Sequence, residues 1–162
     1  MKLTKESFEN ILDAIVCQLR DEANRVLFST ADQFEDRVRK IASVMLHSFG
    51  IRIDFSPHPH GFPDIAADEF GIEVKFTTND TWRSVANSVL ETNRIKEVKF
   101  VYIVFGKMGG EPDVKWGTYE SCVMHVRTSH VPRFEIEMEA KASNSGSLVY
   151  STLWRREDST ES

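Results

Sequence analysis

At 162 residues, with 41% hydrophobic content that includes eleven Phe, the chain carries enough apolar material for one packed domain of α/β or α+β type. Its formal charge of −5 argues against nucleic-acid binding through bulk positive charge and leaves room only for a local basic groove. Cys17 and Cys122 match no metal-ligand spacing, and no apolar leader or membrane-length run is visible, so the expectation is a reduced, cytoplasmic protein whose two free thiols serve as small core residues.

In chain order, TKESFENILDAIVCQLRDEANRV places Phe8, Ile11, Leu12, Ile15, Val16 and Leu19 on one stripe, which predicts an amphipathic helix over 4–26 with a Thr cap. Its buried stripe fits either a helix packed on the domain or a dimer contact. A second start follows at Ser29-Thr30, where Thr30 and Gln33 match a capping box. Phe34, Val38, Ile41, Ala42, Met45, Leu46 and Phe49 then continue the stripe to a stop at Gly50.

IRIDF, Ile51 to Phe55, alternates as a half-buried strand before the loop SPHPHG. PDIAA and GIEVKFT read as two further strands joined by Asp68-Glu69-Phe70, with Gly71 relieving the backbone at the turn. Asn79-Asp80-Thr81 signals another helix, with Trp82, Val85, Val89 and Leu90 on its apolar side. VKFVYIVFG, Val98 to Gly106, has the nearly unbroken apolar run of a central strand. The coarse order is α-α-β-β-β-α-β. WGTYESCVMHVRTS and VPRFEIEME extend it as strands, the second with Phe134, Ile136 and Met138 on one face and Glu135, Glu137 and Glu139 on the other. Residues 1–150 therefore form one domain, with a core over about 29–106 and a strand extension over 114–140; the acidic end, 151–162, is expected to be flexible.

The chemistry concentrates in FPDIAADEFGIEVKFT. Residues two apart on a strand share a face, so Glu73 and Lys75 point together, and antiparallel pairing across the turn brings Asp64 opposite them. Two carboxylates and an ammonium in such a cluster suit a hard divalent ion with a phosphate substrate. The alternative is hairpin surface, with Lys75 pairing one acid for little gain.

Pro63-Asp64, eight intervening residues and then Glu73-Val74-Lys75 resembles the PD-(D/E)XK motif of the restriction-endonuclease-like nucleases. The resemblance implies an αβββαβ core with a central mixed sheet flanked by helices. It also implies Mg²⁺ as cofactor, with Mn²⁺ as a substitute, and double-stranded DNA as partner. Asp64 and Glu73 would be metal ligands, the Val74 main-chain carbonyl a further ligand, and Lys75 the catalytic lysine. Glu35, on the first core helix, stands where many members bring another acid to the metal; Asp36, or a plain helix-surface acid, is the competing assignment.

The implied activity is endonucleolytic hydrolysis of phosphodiester bonds to 5′-phosphate and 3′-hydroxyl ends, most like a small, homodimeric type II restriction enzyme. A Holliday-junction or repair nuclease, the nuclease domain of a longer enzyme, and an inactive nucleic-acid- or protein-binding member of the fold are the alternatives. Candidate nucleic-acid contacts are His58, His60, Thr77, Thr78, Asn79, Arg83, Lys107, Lys115 and Arg127, with Arg133 on the same C-terminal segment. For Trp82, a core position outweighs a base-stacking one.

Overall fold

A computed structural model describes residues 2–54, 62–88, 95, 97–127 and 133–139. Helix α1 (Lys5–Arg25) starts at Thr4, whose Oγ1 accepts from the Ser7 N–H while Ser7 Oγ accepts from the Thr4 N–H. This reciprocal cap satisfies two donors that a helix start leaves unpaired. Helix α2 (Ala31–His47) starts at Thr30, which accepts from the Gln33 N–H. The expected return bond from Gln33 goes one residue further back, to the Ser29 N–H at 3.1 Å. Gly50, at φ 70°, turns the chain out of α2.

A meander follows: β1 (Ile53–Asp54), β2 (Ile65–Ala67) and β3 (Phe70–Thr77), each antiparallel to the next. The tight turn differs from the sequence expectation. Asp68, not Gly71, takes the left-handed backbone, at φ 53°, while Gly71 already lies in β3 opposite Ala66. Gly71 serves close approach instead, because a Cβ there would collide with the Pro63 ring.

β3 then pairs in parallel with β5 (Phe100–Lys107), which pairs antiparallel with β6 (Asp113–Thr118). Among the described residues the larger sheet has the order β1-β2-β3-β5-β6, a mixed sheet in an α+β chain. The smaller one contains β4 (Arg83–Ser88), β7 (Val123–Arg127) and β8 (Arg133–Glu137) in the order β4-β8-β7, with the single-turn helix α3 (Tyr119–Cys122) between β6 and β7.

Two sequence expectations give way here. The helix expected from Asn79 is strand β4 over its described part. The Asp80 carboxylate, within that start signal, is drawn to Lys107 at 2.8 Å, and Arg83, Ser84 and Val85 pair with Glu137, Ile136 and Glu135. A partner strand some fifty residues away overrides the local helical spacing. The strand expected over WGTYESCVMHVRTS, residues 116–129, is broken by α3, because Thr118 caps a turn by accepting from the Ser121 N–H.

The larger sheet separates two cores. On one face α1 and α2 pack Phe8, Leu12, Phe34 and Val38 against Phe70, Ile72, Tyr102 and Val104. Gly106 on that face leaves room for the Phe34 ring, which a Cβ would meet at 2.7 Å. On the other face Val101, Ile103 and Phe105 pack with Tyr119, Val123, Phe134 and Ile136. α1 is thus a packed helix of the domain, tied to the sheet by Trp116 Nε1–H donating to Asp13 (2.7 Å) and Tyr102 O–H donating to Glu9 (3.0 Å). Burial and the Glu9 carboxylate together hold the Tyr102 phenol above its ordinary pKa. Cys122 is buried and its thiol is pushed up to about 11, whereas Cys17 is exposed on α1 and is not a core residue.

Candidate active site

The site lies on β3, on the face turned away from α1 and α2. Strand alternation sends Phe70, Ile72, Val74 and Phe76 toward the helices and Glu73 and Lys75 to the other face, where their parallel neighbours are Ile103 and Phe105. Asp64 stands just before β2, whose first residue pairs Ile65 with Ile72. Its Oδ2 accepts from the Val74 N–H at 2.8 Å, which fixes the carboxylate beside β3.

Glu73 is 7% exposed, and Lys75 Nζ lies 3.2 Å from its Oε1. The other oxygen, Oε2, is buried with no hydrogen-bond partner. Burying half of a carboxylate unsatisfied costs free energy, so a hairpin-surface reading does not fit Glu73. Burial pushes its carboxyl up to about 7 against the pull of Lys75, and the neighbouring Asp64 adds to the rise. The Asp64 carboxyl is likewise raised by burial, with the Val74 N–H opposing; Glu35 raises it further, while Lys75 and Arg39 lower it.

The charges of Glu35, Arg39 and Lys75 thus reach Asp64, and that of Asp64 reaches Glu73. Glu35, on α2, is held by Arg39 at 2.9 Å and its charge acts on Asp64, whereas Asp36 pairs with Lys40 where both are largely exposed. Of the two candidate acids on α2, Glu35 is therefore the one whose charge is felt at Asp64. Arg39 was missed by motif reasoning, although its spacing of four from Glu35 puts both on one helix face.

Among the described residues no three His, Cys, Asp or Glu side chains are set to hold a metal by themselves. The donors present are all oxygen, from Asp64 and Glu73 with the Val74 carbonyl adjacent. An orphaned carboxylate oxygen in such a set suits a hard cation that retains several waters, as Mg²⁺ does.

Most of the basic residues expected at nucleic acid are engaged within the chain. Lys107 is 6% exposed, and its ammonium donates to Asp80 Oδ1, the Gly109 carbonyl and the Glu111 carbonyl at 2.7–3.0 Å. That places it in a loop clamp and not on an open phosphate-binding surface. Arg83 donates to Glu137 (2.8 Å), and Lys115 to Glu139 (2.9 Å) while also lying over the Trp82 ring. Glu137 at the end of β8 and Glu139 just beyond it thus neutralise Arg83 and Lys115.

Thr78 and Asn79 are exposed, and Thr77 Oγ1 accepts from the Asn79 N–H. Trp82 packs edge-on against Phe105, in keeping with a core role. Arg133 is exposed at the start of β8, and Arg127 is placed by its backbone at the end of β7. His58 and His60 lie outside the described residues, as does the expected flexible tail.

Compared with protein-family models and with curated protein sequences, the chain matches none. Among the described residues, no helix is long and apolar enough to cross a membrane.

Proposed function

We propose that this chain is a Mg²⁺-dependent DNA endonuclease of the PD-(D/E)XK type, most like a small type II restriction enzyme acting as a homodimer. The observation that carries the reading is Glu73: a carboxylate buried beside Asp64 and Lys75, with one oxygen left without a partner. Asp64, Glu73 and the Val74 carbonyl would hold the ion, with Glu35 as the further acid. Support also comes from the antiparallel β1-β2-β3 meander and the parallel β3–β5 pair that frame the motif.

Bound Mg²⁺ would supply charge neutralisation at the phosphate and a lowered pKa for water. The chain's own residues supply the rest. The Asp64 carboxylate is fixed in advance by the Val74 N–H, so little reorganisation is needed on binding. Lys75, held by Glu73, presents an ammonium that orients the attacking water and stabilises negative charge developing on the phosphate oxygens. Products would be 5′-phosphate and 3′-hydroxyl ends.

The test is cleavage of supercoiled plasmid in Mg²⁺, with Ca²⁺ and the Lys75→Ala variant as controls. Nicked or linear product should form with Mg²⁺, and its rate should fall about a hundred- to a thousandfold in Lys75→Ala, the scale for removing one charge-stabilising donor. Intact plasmid across diverse sequences would remove the reading, and faster cutting of four-way junctions than of linear duplex would favour a junction-resolving nuclease instead.

A further inference from the structure

The face of the larger sheet that carries Glu73 and Lys75 continues past β5. Lys75 stands beside Phe105, and Phe105 stands opposite Lys115 on β6, so the two lysines share one row across the sheet, two strand spacings or about 10 Å apart. They share a face as well. Val114 belongs to the core under α1 and α2, and alternation turns Lys115 to the other side. There its ammonium lies 4.5 Å from the centre of the Trp82 ring, which itself packs edge-on against Phe105.

Three cations around Trp82 are paired with acids, and the pairs differ in which partner faces water. Lys107 is buried, and only its acid, Asp80, is open to solvent. Arg83 is exposed, but the side chain of its acid, Glu137, is 15% exposed. At Lys115 both partners are accessible, 35% of the lysine side chain and 63% of Glu139. Water screens a pair of that kind, so an incoming anion takes the carboxylate's place at small cost. Glu139 can release the ammonium without disturbing the chain, because its backbone N–H donates to Glu137 Oε1 at 3.2 Å and the Met138 N–H donates to the Trp82 carbonyl.

We propose that Lys115 is a phosphate contact for the bound duplex and that Glu139 is its placeholder in the nucleic-acid-free protein. The carboxylate keeps the ammonium over Trp82 and yields it to a backbone phosphate flanking the one being cut. This rests on the nuclease reading above. A duplex that reaches Lys75 along this face meets Lys115 in the same row, and an ammonium already held on an aromatic ring needs little ordering to receive a phosphate oxygen. The contact is to backbone alone, so it adds affinity without sequence preference.

The test is fluorescence anisotropy of a short mixed-sequence duplex bound in Ca²⁺ while KCl is raised. Lys115→Met keeps a stem of similar length beside Trp82. It should weaken binding about tenfold at low salt, the scale of one charge-assisted contact. It should also flatten the slope of log affinity against log salt by about 0.9, the share of one phosphate. Lys115→Arg should keep the parental slope. Glu139→Gln should tighten binding about threefold, the scale of an exposed ion pair no longer competing for the ammonium. In the double variant Lys115→Met/Glu139→Gln that gain should vanish.

An unchanged slope in Lys115→Met overturns the phosphate contact. A Glu139→Gln gain that survives undiminished in the double variant is general repulsion of the duplex and overturns the placeholder. Both outcomes leave the nuclease reading standing if the parent binds duplex and cuts it in Mg²⁺. A parent that binds no duplex brings down both.

Discussion

Two lysine centres, Lys107 buried and Lys75 half-buried beside a buried Glu73, sit on neighbouring parallel strands and are built in opposite ways. At Lys107, on β5, the ammonium meets Asp80 and two backbone carbonyls, so three donors find three acceptors. At Lys75, on β3, the ammonium meets Glu73, whose second oxygen is buried with nothing to accept from. A satisfied buried charge knits loops together, whereas an unsatisfied one costs stability without return unless something absent from the chain completes it. Burial of a charge is therefore a poor marker of function by itself; incomplete satisfaction is the better one.

The contrast can be broken most forcefully at Lys107. Lys107→Met leaves the Gly109 and Glu111 carbonyls without their shared donor and frees the loop that Asp80 pins, so unfolding free energy should fall by about 2 kcal/mol. Chemical denaturation would register this as an earlier midpoint with little change in slope. An unchanged midpoint would mean that the Lys107 centre is not structural.

At Glu73 the sign should reverse. In metal-free protein its carboxyl is raised to about 7 from an ordinary 4.5. Between those values the folded state binds more protons than the unfolded chain, so stability falls as pH rises through the window. Glu73→Gln removes the charge that burial penalises and should stabilise the metal-free protein by about 1–2 kcal/mol at pH 8, and by less at pH 5. Thermal melts at the two pH values would show the variant's advantage widening with pH; a variant less stable than the parent at pH 8 would erase the contrast with Lys107.

The smallest expected effect serves as the reference for an ordinary ion pair. Arg37 donates through two nitrogens to Glu22, joining α2 to α1, and holds the Glu22 carboxyl below the usual range. Its folded pKa is depressed, so its contribution is present at neutral pH and is lost as pH falls through the folded value. Both side chains are partly exposed, which limits the effect: Glu22→Gln should cost about 0.5 kcal/mol at pH 7 and nothing measurable in strong acid.

The residues that speak for a site were legible in the sequence where the physics is local. Strand alternation put Glu73 and Lys75 on one face, and the short turn at Asp68-Glu69 carried Asp64 to them. The helices were legible because their apolar stripes and Thr caps lie within the segments themselves. What failed depended on partners distant in sequence. The segment from Trp82 has helical spacing with Val85, yet β4 pairs with β8, and Lys107 looks like a surface cation until Asp80 and two carbonyls close around it. Motif spacing offered no signal that Glu73 would be left half satisfied; that follows from its burial on β3 opposite Ile103, a residue of the second core.

The central claim, that the orphaned oxygen of Glu73 marks a divalent-cation site built with Asp64, is tested most directly by calorimetric titration of the nucleic-acid-free protein with Mn²⁺. The account predicts one site per chain, with binding lost in Asp64→Asn and in Glu73→Gln while both variants remain folded. Binding that persists unchanged in either variant, or no binding to the parent protein, would contradict it.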